Sequence, residues 1–175
     1  KEDKEGLLPN QFIMLVSSGN EKKTALCRFM AYGMPLRKIQ ERKQGLWGVK
    51  ARNKEQAFAL DLLMDPKVQI VSLVGKAGSG KTLLTIAAGL EQVVSNKTVM
   101  SMAMSKNVPI EGIYKRLVVS RPIQPMGKDI GFLPGDVEDK MKPWLAPIED
   151  NLKFLTGNNN STLEMYMEKG IIEME

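Results

Sequence analysis

The chain has 175 residues, of which 43% are hydrophobic and 26% charged, and its net charge is +5. This is the composition of an ordinary globular protein with room for a real core, and no run of 18 apolar residues or signal-peptide pattern argues for a membrane span or export. Histidine is absent and Cys27 is the single cysteine. That excludes Ser-His-Asp and Cys-His catalysis, mixed Cys and His zinc sites and a disulfide within the chain, and it leads us to expect a reducing, cytoplasmic setting.

Taken in order, Gln11 to Val16 reads as a strand, Ser17-Ser18-Gly19-Asn20 as turn chemistry, and Thr24 to Ala31 as the returning strand of a small hairpin. Gly33 and Pro35 break it, and Leu36 to Lys43 is polar and basic. Residues 1–50 are therefore expected to form an N-terminal hairpin and basic linker. Residues 21–54 carry ten basic side chains against two acidic ones (Glu21 and Glu41), a local charge of +8 that leaves −3 for the rest. Such a segment fits a polyanionic partner, and it equally fits a solvated connector.

Asn53-Lys54-Glu55-Gln56 opens a helix that must end before Pro66. Asn53 at the cap with Gln56 three residues on resembles a capping box. The Gln56 amide also offers one donor and one acceptor, a match to the N6 and N7 edge of adenine. Both readings stand on the residues alone.

Val68 to Val74 is a nearly continuous apolar run of strand length and reads as a buried parallel strand. It leads into Gly75-Lys76-Ala77-Gly78-Ser79-Gly80-Lys81-Thr82, which fits the phosphate-binding pattern G-x-x-x-x-G-K-[ST], known as Walker A. Glycines let the backbone curl until its N–H groups converge on phosphate oxygens. Lys81 is placed to reach the β- and γ-phosphates, and the Thr82 hydroxyl to ligand Mg²⁺. Leu83, Ile86, Ala87, Leu90 and Val94 then fall at helical spacing, so a helix directs its positive end at the same anion.

Residues 95–113 are ambiguous. Thr98, Met100, Met102 and Met104 alternate with smaller residues, which suits a strand with a methionine face or an insertion between helix and strand. Tyr114 to Ser120 reads as the second core strand and runs into Arg121-Pro122 and the Gly- and Pro-rich loop 127–136. Loops at the carboxyl ends of strands in an open α/β sheet bind ligands, and Arg121 there offers a bidentate fork to phosphoryl oxygens. Asp136 to Leu155 reads as helical in pieces, with Pro143 and Pro147 forcing starts or kinks. A turn at 157–160, a short helix over Leu163 to Lys169 and an apolar segment from Ile171 follow. No apolar strand ending in Asp or Asp-Glu, the Walker B signature, follows Lys81. The expectation is the front part of a longer P-loop domain.

Asn53-x-x-Gln56, the run Leu73 to Thr82, Ser120-Arg121-Pro122, Gly131-Phe132-Leu133-Pro134-Gly135 and then Lys140, Pro143, Pro147 and Asp150 together resemble the PhoH family over about residues 45–157. The resemblance implies an α/β P-loop NTPase core, a parallel sheet with flanking helices, over residues 51–175. It implies ATP and Mg²⁺ as ligands, with Asn53, Gln56, Gly75, Lys76, Ala77, Gly78, Ser79, Gly80, Lys81 and Thr82 on the nucleotide. Lys81, Thr82 and Arg121 would carry catalysis and Thr82 the metal. In one branch of the family a PIN ribonuclease domain precedes the ATPase, and ATP use is coupled to RNA unwinding and cleavage. RNA is then the expected polyanion and a homo-hexameric ring the expected assembly, with no membrane partner. Readings that share the loop are a nucleotide-binding regulatory domain without nucleic acid and a small-molecule kinase.

Overall fold

The computed structural model describes residues 6–40, 42–104, 114–120 and 137–175, with the backbone alone for 95–104 and 137–144. The chain divides into two compact units. One runs to Gly45 and resumes from Lys50 to Val71; the other holds Leu46–Val49 and Ser72–Glu175. Among the described residues no helix is long and apolar enough to cross a membrane.

The first unit is a three-stranded antiparallel sheet with one helix. Strands β1 (Phe12–Ser17) and β2 (Asn20–Arg28) form a hairpin, and β3 (Arg37–Lys38) pairs with the end of β2. Helix α1 spans Lys54–Leu63. It packs on the sheet through Phe58, whose ring stacks on Phe12 at a centroid distance of 4.3 Å. The second link between helix and sheet is ionic. Arg28 is 1% exposed and lies between Asp61 (2.9 Å) and Asp65 (3.0 Å), while Arg37 reaches the same two carboxylates at 2.7 and 3.4 Å. Asn10 Oδ1 accepts from Arg28 Nε and Nη2 at 3.0 and 2.7 Å, completing the guanidinium's partners. Burial pushes the Asp65 carboxyl up, but the Lys67 N–H and the two guanidinium groups outweigh it and hold its pKa below the ordinary 3.8.

The second unit is α/β. Helix α2 (Lys81–Met104) and helix α3 (Val137–Leu155) pack on each other, and α4 (Asn160–Glu168) packs on α3. Strand β4 (Leu117–Val119) pairs in parallel with β5 (Ile172–Met174). The core is built from Leu84, Ile86, Ala87, Leu90 and Val93 of α2, Ile148, Leu152 and Leu155 of α3, Leu163 of α4 and Ile172 of β5. Gly89 is where α2 meets β4. A Cβ there would lie 2.7 Å from Leu117 Cδ1, so any residue larger than glycine must push the Leu117 side chain aside.

Three expectations change. Val68–Val74 is not a buried strand: it joins no ladder among the described residues, and Ile70 and Val74 are 89% and 95% exposed. A fully buried strand needs a neighbour at its edges and helices on its faces, and no described strand lies beside this one. The methionine-faced strand is replaced by helix through Met104. Methionine is a good helix former, and no Gly or Pro interrupts the run from Gln92 to Met104, so a helix begun at Lys81 propagates through it. Residues 105–113 lie outside the described residues. Finally, α3 is one continuous helix through Pro143 and Pro147. Each proline removes one backbone hydrogen bond, and burial of Ile148, Leu152 and Leu155 keeps the helix whole beyond them.

Candidate functional site

The loop at 75–82 builds a site within the second unit from its own backbone. Gly78 and Gly80 take φ of +74° and +83°, a region that costs any residue with a Cβ. Gly78 needs this freedom rather than space, since nothing lies within 4 Å of where its Cβ would be. Gly75 needs space, because its Cβ would stand 3.3 Å from Ser79 Oγ. Alternating backbone handedness of this kind turns successive N–H groups toward one point and makes an anion-binding nest. Ser79 N–H closes the loop on Lys76 O at 3.3 Å, and α2 begins immediately, with Leu84 N–H on Gly80 O at 2.9 Å. The helix's first N–H groups and its dipole thus open at the loop.

Lys81 folds back over this loop. Its Nζ donates to Gly75 O (2.9 Å), Lys76 O (2.8 Å) and Ser79 Oγ (3.3 Å). The ammonium is therefore held at the mouth of the nest by groups that a phosphate oxygen can replace. Ala77 is exposed beside it. Thr82 is exposed, and its hydroxyl makes no hydrogen bond among the described residues, in contrast to Thr85, whose Oγ1 donates to Lys81 O at 2.9 Å. A cleft of about 300 Å³ opens here, lined by Gly78, Gly80, Lys81, Thr82, Leu83 and Asn151. Asn151 comes from α3, and nothing in its sequence context marks it.

This donor set suits a polyphosphate: an ammonium, converging N–H groups and a hydroxyl. It also suits a hard cation that keeps most of its water and takes one protein oxygen. Among the described residues no group of three or more carboxylates, cysteines or histidines stands ready to hold a metal, and the side-chain oxygens lining the cleft are those of Thr82 and Asn151.

Asn53 and Gln56 belong to the first unit and form a helix cap. Asn53 Oδ1 accepts from Gln56 N–H at 2.8 Å, and Gln56 Oε1 accepts from Arg52 N–H at 2.8 Å. The reciprocal bond reaches one residue further back than in the usual capping box, to Arg52 in place of the cap residue Asn53. Arg121, Phe132 and Leu133 lie outside the described residues.

The family model for "PhoH-like protein" matches residues 48–97 and 94–175. The chain is 42% identical to Protein PhoH2 of Bacillus subtilis (strain 168) over 84% of this chain and 30% of that protein. It is 37% identical to Protein PhoH2 of Mycolicibacterium smegmatis over 74% of this chain and 26% of the relative. Against Protein PhoH of Escherichia coli (strain K12) the figures are 31%, 59% and 24%. The chain thus spans less than a third of the length of these relatives. No solved structure gives a significant match.

Proposed function

The chain belongs to the PhoH-like protein family, and from that premise we propose that it is the ATP-binding module of an ATPase that couples ATP hydrolysis to RNA unwinding or processing. The observation that carries the reading is the loop at 75–82, with two left-handed glycines and the Lys81 ammonium tethered across its mouth. Residues 51–175 form the N-terminal part of the ATPase domain in this reading, with residues 1–50 as hairpin and linker.

Binding begins with exchange. Phosphate oxygens replace Gly75 O, Lys76 O and Ser79 Oγ as the acceptors of Lys81, while the N–H groups of the loop and the start of α2 orient the rest of the chain of phosphates. Thr82 would hold Mg²⁺ through its hydroxyl, and the ion would supply charge neutralisation at the transferring phosphoryl group. Gln56 reads adenine, which requires its amide to leave Arg52 N–H. Arg121 stabilises the γ-phosphate within its subunit or across a ring of six; Arg121→Lys should then lower turnover more than binding, and wild-type turnover in that variant would remove the role. Native mass spectrometry with ATP and Mg²⁺ tests the ring, which a monomer at all concentrations defeats.

RNA as partner is supported by the basic segment. Of its ten cations, Arg28 and Arg37 are engaged by Asp61 and Asp65. Lys22, Lys23, Lys38, Arg42, Lys43, Lys50, Arg52 and Lys54 are exposed. The deciding experiment is an ATPase assay of the full-length protein with and without single-stranded RNA. Stimulation is expected, and phosphate transfer to a metabolite with no RNA effect would reassign the protein as a kinase.

A further inference from the structure

We propose that Asn151 is a member of the nucleotide site, where its side-chain oxygen accepts a hydrogen bond from the hydration shell of the cation held at Thr82. This rests on the nucleotide reading above and adds a residue to it. Asn151 lines the same cleft as Gly80, Lys81, Thr82 and Leu83, although it stands on α3, about seventy positions further along the chain. Its amide has a fixed sense. Nδ2 donates to Pro147 O at 2.5 Å, one turn back on the same helix. A carbonyl can only accept, so the nitrogen must be the end that faces it, and the oxygen is left as the other polar end. Among the described residues no donor meets that oxygen.

The chemistry of the oxygen then selects its partner. Phosphate oxygens offer acceptors, so an amide oxygen gains nothing from a bare polyphosphate. It needs a donor. A nucleotide and its cation bring two kinds to this cleft: water on the metal and the hydroxyls of the sugar. Thr82 lies in the same cleft with a hydroxyl that makes no hydrogen bond among the described residues, and a Mg²⁺ bound there would retain several waters. No cluster of carboxylates among the described residues competes for those waters. Asn151 therefore acts as a positioning residue: it orients the cation's shell and so the cation, as outer-shell partners do in other metal sites.

The test measures binding, not turnover, on the full chain. A fluorescent ATP analogue is titrated at a series of Mg²⁺ concentrations and again in excess chelator, for wild type, Asn151→Leu, Asn151→Asp and Lys81→Ala. Asn151→Leu is expected to raise the Mg²⁺ concentration needed for half-maximal enhancement of binding by roughly tenfold and to leave metal-free binding unchanged. Asn151→Asp keeps an acceptor but loses the donor to Pro147 O, so its Mg²⁺ requirement is expected to fall below that of Asn151→Leu, and a requirement as high as that of Asn151→Leu counts against the proposal. An unchanged Mg²⁺ midpoint in Asn151→Leu overturns the proposal, as does an equal loss with and without Mg²⁺, which would mark a packing role. If 2′- and 3′-deoxy analogues abolish the difference between wild type and Asn151→Leu, the oxygen serves the sugar and the cation role is wrong. Undiminished binding by Lys81→Ala would instead sink the nucleotide site itself, so the two failures are separable.

Discussion

At the scale of single residues, two cations in this chain have opposite roles. The Lys81 ammonium is exposed to exchange, because its three partners are oxygens of its own loop. Any phosphate that takes it must compete with them, so a measured affinity is a difference between two sets of hydrogen bonds. Lys81→Ala is expected to weaken ATP by about 1.5–3 kcal/mol, the range for one charge-assisted contact. Calorimetry on folded protein checks this, and unchanged affinity would remove Lys81 from the site. Arg28, by contrast, is locked in. Truncating it leaves Asp61 and Asp65, with side chains 15% and 8% exposed, without their inner partner. Arg28→Ala should cost about 3–5 kcal/mol, as breaking a buried pair does; a loss under about 1 kcal/mol in urea unfolding would refute it. The acid dependence follows from Asp65. Its folded pKa lies below 3.8, so its stabilisation is complete above that value and lost as pH falls through the folded pKa. The stability gap between wild type and Asp65→Asn should therefore be widest near neutrality and shrink below pH 3.8.

At the scale of elements, what could be read in the sequence depended on whether the signal was local. The Walker loop and the helix after it were legible because glycine spacing and the positions of Ile86, Ala87 and Leu90 are facts of one short segment. The end of α1 before Pro66 was legible for the same reason. The place of Asn151 in the cleft and the contact at Gly89 were not, because each depends on an element distant in sequence, the 75–82 loop for one and β4 for the other. The apolar run 68–74 misled, since composition reports a wish for burial and not whether a neighbour supplies it. Two element-scale predictions follow from the contacts. Gly89→Ala gains about 1 kcal/mol of helix propensity, but its methyl meets Leu117 Cδ1 at 2.7 Å and two further Leu117 carbons at 3.4 and 3.5 Å. Overpacking of about 1–3 kcal/mol should prevail. The sign should reverse in a Leu117→Ala background, where Gly89→Ala stabilises; a loss in both backgrounds would show that β4 is not the obstacle. For α1, Gln56→Ala should weaken ATP more than inorganic triphosphate if the amide reads adenine. Equal losses for ATP and GTP with a lower melting temperature would leave Gln56 as the cap seen at Arg52 N–H.

At the scale of the whole molecule, charge is divided between structure and surface. Arg28 and Arg37 neutralise Asp61 of α1 and Asp65 just beyond its end, Lys54 lies 4.0 Å from Glu55, and Lys22, Lys23, Lys38, Arg42, Lys43, Lys50 and Arg52 are exposed with no ion pair among the described residues, open to an external polyanion. If that polyanion is single-stranded RNA, each lysine or arginine that meets a phosphate adds about 0.7 to the slope of log affinity against log salt. Replacing Arg42 and Lys43 together by alanine should flatten the slope by about 1.4. Fluorescence anisotropy across a salt series reads this directly, and an unaltered slope would exclude both from the contact.

The exposed stretch from Val68 to Val74 has a consequence for the protein in bulk. Bare apolar backbone outside any ladder is a template on which another strand can assemble, and Ile70 and Val74 present nearly all of their surface to water. A net charge of +5 gives only general repulsion between molecules. The segment that leads into the loop at 75–82 is thus also a surface on which copies of this chain are expected to associate in concentrated solution.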